Sequence, residues 1–139
     1  MDVKQLVGNF KTVVIKHYID LNGRTDRAAF WQYVLVYLAI ALLLWLLGFR
    51  FLANFVGLIL FLPTLSIWVR RLHDVGRSGW LVLVPAVPIF LMGAFWFIFW
   101  PLLMVLSLTT LACIGYLIYL CAQPGTPGPN QFGPAPGTV

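Results

Sequence analysis

Glutamate is missing from this chain of 139 residues, and its acidic side chains are four aspartates: Asp2, Asp20, Asp26 and Asp74. Charge of either sign is scarce. Charged residues make up 9% of the chain and hydrophobic ones 61%, whereas soluble domains carry roughly a quarter charged residues. That shortage excludes a soluble enzyme with a polar shell, a disordered tail protein and a coiled coil. What fits is a polytopic membrane protein of one domain.

Metal-ligand spacing is also lacking. The two histidines, His17 and His73, have no cysteine pair near them, so no metal and no cofactor is expected. Cys113 and Cys121 lie eight residues apart in one apolar run. A helix separates them by about 12 Å, too far for a disulfide, so both read as small buried hydrophobes. Nine Lys and Arg give a net charge of +5. In a soluble protein that balance would suggest nucleic acid. Here the basic residues flank apolar runs, and no nucleic-acid partner is expected.

In residues 3–18, Val3, Leu6, Val7, Phe10, Val13, Val14 and Tyr18 recur at helical steps, with Lys4, Lys11 and Lys16 on other faces. This predicts a short amphipathic helix, suited to the headgroup layer or to packing against the rest of the protein. Its scattered lysines and broken apolar pattern do not read as a signal peptide, and the first span is expected to act as the uncleaved targeting signal. Residues 1–22 thus form an N-terminal helix and turn, ending at Asp20-Leu21-Asn22-Gly23. Thr25 is the expected N-cap of the next helix, with Asp26 in its first turn.

Residues 23–122 read as the membrane domain. The first span covers about 30–49, and its twenty residues match the roughly 30 Å apolar layer. Gly48 and Arg50 mark a tight turn, and the second span covers about 51–69. Pro63 inside it removes the backbone bond to Ile59. A bend is expected there, with Thr64 or Ser66 satisfying freed backbone groups. A charged loop follows over 70–79. Residues 80–122 then carry no charge; as one helix they would run about 65 Å, twice the membrane. They must hold two spans, about 80–98 and 101–122, with Pro101 at the restart and Pro85 and Pro88 distorting the third. The tail, 123–139, has five Pro and four Gly in seventeen residues and cannot build a core.

The expected fold is therefore all-α: four transmembrane helices after an amphipathic interfacial helix. Four spans place both termini on one side. That side collects Lys4, Lys11, Lys16, Arg24, Arg27, Arg70, Arg71 and Arg77, against Arg50 alone on the other. Eight against one predicts cytoplasmic termini by the positive-inside bias. Aromatics make two belts in this arrangement: Trp31, Trp68, Trp80 and Tyr119 on the inner side, and Trp45, Phe49, Phe51, Trp96 and Trp100 on the outer.

Hydrogen-bonding capacity concentrates in two segments, Gly23-Arg24-Thr25-Asp26-Arg27 and Arg70 through Trp80. Together they bring Arg24, Arg27, Arg70, Arg71, Arg77, His73, Asp26 and Asp74 to one end of the bundle. One reading is that the arginines only set topology and reach lipid phosphates nonspecifically. The other is an anion or partner site, since both segments use arginine and never lysine, and arginine offers a planar bidentate fork. One arginine is expected to pair with Asp74 or Asp26, leaving the rest free. His73 lies between arginines and beside Asp74, which act on its charge in opposite senses. Gly76 and Gly79 are expected at a positive-φ reversal, with Trp80 anchoring the return to the membrane. No Asp, Glu, Lys, Arg or His lies in a span interior, which argues against a proton relay or ion-coupled transporter.

These residues resemble a bacterial inner-membrane family, domain of unknown function 805. The resemblance rests on Gly23-Arg24-Thr25-Asp26-Arg27 with Phe30-Trp31, on the eleven residues Arg70-Arg71-Leu72-His73-Asp74-Val75-Gly76-Arg77-Ser78-Gly79-Trp80, and on Gly125-Thr126-Pro127-Gly128-Pro129-Asn130-Gln131-Phe132-Gly133. It covers essentially the whole chain. The tail departs from the pattern by ending in Pro-Ala-Pro-Gly-Thr-Val without charge. The resemblance implies a four-span inner-membrane protein and no reaction. It also makes the tail too specific for a linker, so Asn130 and Phe132 are expected to fold back onto the arginine segment.

Three functions follow. A non-enzymatic module would use Arg24, Arg27, Arg70, Arg71, His73, Asp74, Arg77 and Asn130 to hold anionic lipid headgroups, a membrane-protein partner or a second copy. An oligomeric transporter or channel for a small or lipidic substrate draws on helices broken at Pro63, Pro85 and Pro88. A lipid-phosphate enzyme would need His73 and Asp74 as acid and base, but the chain offers no metal cluster and no convincing nucleophile.

Overall fold

The computed structural model describes residues 3–95 and 100–136. Within them the chain forms five α-helices: α1 (Val3–Lys16), α2 (Arg27–Leu46), α3 (Arg50–Asp74), α4 (Ala86–Ala94) and α5 (Trp100–Ala122). A 3-10 turn, Gly79–Leu83, precedes α4. No strand occurs among the described residues; an isolated bridge joins Asn130 and Gly133.

Three helices, α2, α3 and α5, are long and apolar enough to cross a membrane. Along most of their length their apolar side chains face outward: Phe51 is 86% exposed, Leu58 72% and Leu111 66%. In water such surface would be a liability; lipid tails solvate it. Tight packing is confined to one end. There Phe30 and Tyr33 of α2, Ile67 and Leu72 of α3, and Leu117, Leu120 and Cys121 of α5 form a buried cluster with Val13 of α1. The rings of Trp31 and Trp68 stand edge-on to Phe30 at 5.2 and 5.0 Å.

Helix α1 lies against α2 and α3. Phe10 stacks on Tyr33 at 5.2 Å, and Asn9 donates to the Ala29 carbonyl at 2.8 Å. The helix packs within the protein, with Lys11 and Lys16 exposed on its outer face.

Glycine closes two helices in the same way. After α2, Gly48 at φ +77° lets its own amide reach the Trp45 carbonyl and the Phe49 amide reach Leu44. After α3, Gly76 at φ +71° does likewise, its amide on His73 and the Arg77 amide on Leu72. Both are Schellman closures, in which an αL glycine lets two amides fold back on the last carbonyls.

Several expectations are corrected. The charged loop begins later than expected: Arg70 to Asp74 are the last turn of α3, because the helix does not end until the Gly76 cap. Gly79 does not adopt positive φ. Its need is space: a Cβ there would lie 2.5 Å from Val69 Cγ1. The N-cap of α2 is Asp26, whose carboxylate accepts from the Ala29 amide at 2.5 Å, and not Thr25, whose amide bonds the Arg70 carbonyl. Pro63 lies inside α3, and the Ile59 carbonyl it leaves free accepts from the Tyr18 hydroxyl at 2.7 Å. Thr64 and Ser66 serve other partners, Tyr33 Oη at 2.8 Å and the Asp20 carbonyl.

The third apolar stretch differs most from the single helix expected over 80–98. Pro85 separates the 3-10 turn from α4. Pro88 falls in the first turn of α4, where a missing amide is tolerated. The nine residues of α4 span about 14 Å, less than a membrane crossing. Trp96 and the end of that expected span lie outside the described residues.

Candidate functional site

The packed end of the molecule brings together two helix C-termini, those of α3 and α5, with the turn before α2. Each C-terminus leaves carbonyls without helical partners and carries partial negative charge. The Arg24–Arg27 and Arg70–Arg77 segments and the tail answer that demand between them.

At the centre is a buried trio. Asp74 receives Arg24 on one carboxylate oxygen, Nε at 3.0 Å and Nη2 at 3.0 Å from Oδ1. Its Oδ2 receives Nη1 of Arg71. The side chains of Arg24, Arg71 and Asp74 are 1%, 0% and 4% exposed, so water does not screen them. Two guanidiniums against one carboxylate leave a formal positive charge. It faces carbonyls: Arg71 donates from Nε to Cys121 at 2.9 Å, from Nη2 to Gln123 and from Nη1 to Thr25 at 3.4 Å. The first two acceptors are at the C-terminal end of α5, where a cation is favoured. Arg27 adds a contact to the same end, Nη1 to the Ala122 carbonyl at 3.4 Å.

The tail folds back through Asn130 and Phe132 and caps α3. Thr126 donates to the Asp74 carbonyl from its amide at 2.8 Å and from its hydroxyl at 3.0 Å. Asn130 Nδ2 donates to the His73 carbonyl at 3.0 Å and to Thr126 Oγ1 at 2.8 Å. Arg24 fastens the other side, Nη1 to the Gly128 carbonyl and Nη2 to the Thr126 carbonyl, both at 2.6 Å. Phe132 lies flat on the His73 ring, centroids 3.9 Å apart and planes within 2°. Gly125 has to be glycine, since a Cβ there would overlap the Asp74 carboxylate.

The residues expected to share a site therefore divide. Arg24, Arg71 and Asp74 form an internal clasp whose polar atoms are engaged by the chain itself, which corrects the expectation that all but one arginine would be free. His73 and Asn130 join it through the tail. Arg70 is half-buried, with Nη2 3.5 Å from the Arg24 carbonyl. Arg27 and Arg77 are exposed. The Arg77 amide closes the Schellman turn, and its guanidinium has no partner among the described residues. His73 and Asp74, adjacent in sequence, do not pair: the imidazole Nδ1 lies 3.2 Å from the Gly23 carbonyl. Among the described residues no group of three His, Cys, Asp or Glu is placed to hold a metal.

Outside the helices, Asp20 forms a smaller polar centre. Its carboxyl sits below the ordinary carboxylate value. Burial pushes it upward, but the hydrogen bond from His17 at 2.8 Å, the Asn22 amide at 3.1 Å and the Arg70 charge together outweigh that.

Sequence reasoning missed Thr126, Gly128 and Gly125 as contributors, along with the carbonyls of Cys121 and Gln123. The available signal was the Gly-Thr-x-Gly-x-Asn spacing of the tail. Carbonyl acceptors have no sequence signature.

The family model described as protein of unknown function (DUF805) matches residues 18–134. Inner membrane protein YhaH of Escherichia coli strain K12 is 32% identical over 133 residues, covering 88% of this chain and 92% of that protein. Inner membrane protein YhaI of the same strain is 30% identical over 129 residues, covering 88% and 91%. The uncharacterized protein YiiR is 34% identical over 119 residues, covering 80% and 82%. No solved structure matches. The matched segment runs from the turn before α2 to the end of the tail clasp and so takes in every residue of the buried trio: the chain belongs to the DUF805 family, which includes inner membrane proteins of unknown function.

Proposed function

We propose that this protein is a non-enzymatic module of the bacterial inner membrane. It crosses the bilayer four times with both termini in the cytoplasm, and its basic cytoplasmic face holds anionic lipid headgroups or an acidic protein partner. The observation that carries the reading is the distribution of basic residues: eight lie on segments before the first span, between the second and third, or at their edges, and Arg50 alone lies at the α2–α3 turn. The clasp supports it by dividing the arginines into two jobs. Arg24 and Arg71 hold the face together, and exposed Arg27 and Arg77, with Lys11 and Lys16, present charge outward. A basic residue near an anionic leaflet contributes about 1 kcal/mol.

The test replaces Lys11, Lys16, Arg27 and Arg77 together by glutamine in the full chain and measures the anionic lipid that co-purifies. A fall in the anionic-to-zwitterionic ratio is expected, and an unchanged ratio counts against the reading. Tag accessibility at residues 76–78 tests the orientation, because these residues must be reachable only from the cytoplasm.

A second reading, an oligomeric transporter or channel for a small or lipidic substrate, draws on the break at Pro85 between the 3-10 turn and α4. Substrate flux in liposomes containing the pure protein separates it from the first.

A further inference from the structure

A cavity of about 380 Å³ opens beside the clasp, between the last turns of α3 and the 3-10 turn. That volume falls in the range of small-molecule sites. Its α3 wall is made by Leu65, Val69 and His73, which recur at four-residue steps and so share one helix face. The slot therefore runs about 12 Å along the helix axis, apolar at Leu65 and polar at His73. Val82 and Leu83 close the opposite side. Asn22 and Ser78 add polar groups to the lining. Gly79 sits where α3 and the turn touch, and a Cβ there would come within 3.1 Å of His73 Nε2.

The polar end has a defined chemistry. The Gly23 carbonyl accepts and cannot donate, so the proton of the neutral His73 ring is on Nδ1. Nε2 is left with a lone pair and lies on the Gly79 side of a ring that lines the cavity. Arg77, next in sequence to Ser78 of the lining, is exposed, and its guanidinium has no partner among the described residues. A hydroxyl donor, a phosphate and a long apolar chain in line satisfy the slot from end to end. A slot whose polarity changes along a membrane-spanning helix matches the orientation of a lipid in its leaflet, chain inward and head outward.

We infer that this slot binds one acyl chain of an anionic glycerophospholipid, with a hydroxylated headgroup held at His73, Ser78 and Arg77. The inference rests on the membrane-module reading above and assigns it one specific site.

Native mass spectrometry of the full chain with added phosphatidylglycerol, and with phosphatidylcholine of the same acyl chains as control, tests it. One phosphatidylglycerol per chain should survive mild activation. Leu83→Trp, which fills the slot, should cut that retention about tenfold, as for two methylenes denied burial. Arg77→Gln, at an exposed position, should lower the preference over phosphatidylcholine about fivefold. The surface-charge reading alone predicts that Leu83→Trp changes nothing, so the two fail differently. Equal retention of both lipids by the native chain, or undiminished retention by folded Leu83→Trp, overturns the inference. A phosphatidylglycerol with a diazirine in its acyl chain needs no variant. Labelling concentrated in residues 65–83 supports the slot, and labelling spread evenly over α2 and α5 overturns it.

Discussion

Replacing Asp74 by asparagine probes the clasp most directly. The change keeps the shape of the side chain and removes its charge. In the native protein both carboxylate oxygens accept from guanidiniums, and all three side chains are at most 4% exposed. Asparagine offers one acceptor and an amide that faces an N–H donor, so at least one guanidinium loses its acceptor. Arg24 and Arg71 then lie buried with like charges and no counter-ion. Removing one partner of such a buried pair costs about 3–5 kcal/mol, a large part of a total stability of about 5–15 kcal/mol. The loss should appear first where the clasp holds least chain, in the tail that Arg24 fastens at Thr126 and Gly128. Proteinase K digestion of the purified protein should therefore remove the tail of Asp74→Asn at least tenfold faster, a factor that needs only about 1.4 kcal/mol, and its thermal transition should fall. The double-mutant cycle with Arg24→Gln should show coupling of about 1–3 kcal/mol, because the pair is in contact. A cost for Asp74→Asn below about 1 kcal/mol, or additivity within about 0.5 kcal/mol, would refute the claim that Asp74 is the counter-ion of the clasp.

Two further outcomes follow from the same geometry. Gly125→Ala should release the tail as Asp74→Asn does, since its Cβ overlaps the Asp74 carboxylate, whereas Gly115→Ala on α5, where a Cβ meets nothing within 4 Å, should leave protease sensitivity unchanged; equal effects of the two would remove the steric argument. Asp20 should titrate below its ordinary value of 3.8 when followed by carboxyl carbon NMR in micelles. A folded value depressed below the unfolded one adds stability that is present above the ordinary value and lost as pH falls through the folded one, so the His17–Asp20 contact should persist at pH 5 and open below 3.8; a midpoint at or above 3.8 would contradict it.

The long elements were legible because the bilayer makes hydrophobicity a measure of length. α2, α3 and α5 fall within five residues of the boundaries expected for the first, second and fourth spans. The third stretch was less legible, since Pro85 and Pro88 act locally and hydropathy does not record where a helix restarts. The boundary at Arg70 was misjudged for a related reason. Charge alone does not end a helix; it ends where its carbonyls find other donors, and those donors come from Gly76, Arg77, Thr126 and Asn130. The Pro63 carbonyl problem was legible and its solution was not, because Tyr18 lies 41 residues from Ile59. At the site, Arg24, Arg71, Asp74 and Asn130 do come together, but fewer arginines are left free than the sequence suggests. Sequence counts charges, and the backbone carbonyls that neutralise a buried guanidinium are invisible to that count.

That point explains the use of arginine over lysine in both segments. Arg71 touches Asp74, Thr25, Cys121 and Gln123 at once, a carboxylate on one side and the end of α5 on the other. A guanidinium distributes its donors over three nitrogens in a fixed plane, while an ammonium concentrates them on one atom and is more strongly hydrated. Lysine at position 71 could meet the aspartate or the helix end, but the two lie on different sides of the side chain. The positive-inside bias alone would accept either residue, as the lysines of α1 illustrate. Arginine at 24 and 71 is therefore a requirement of the buried geometry. The same division leaves Arg27 and Arg77 at the surface after the fold has closed over Arg24 and Arg71.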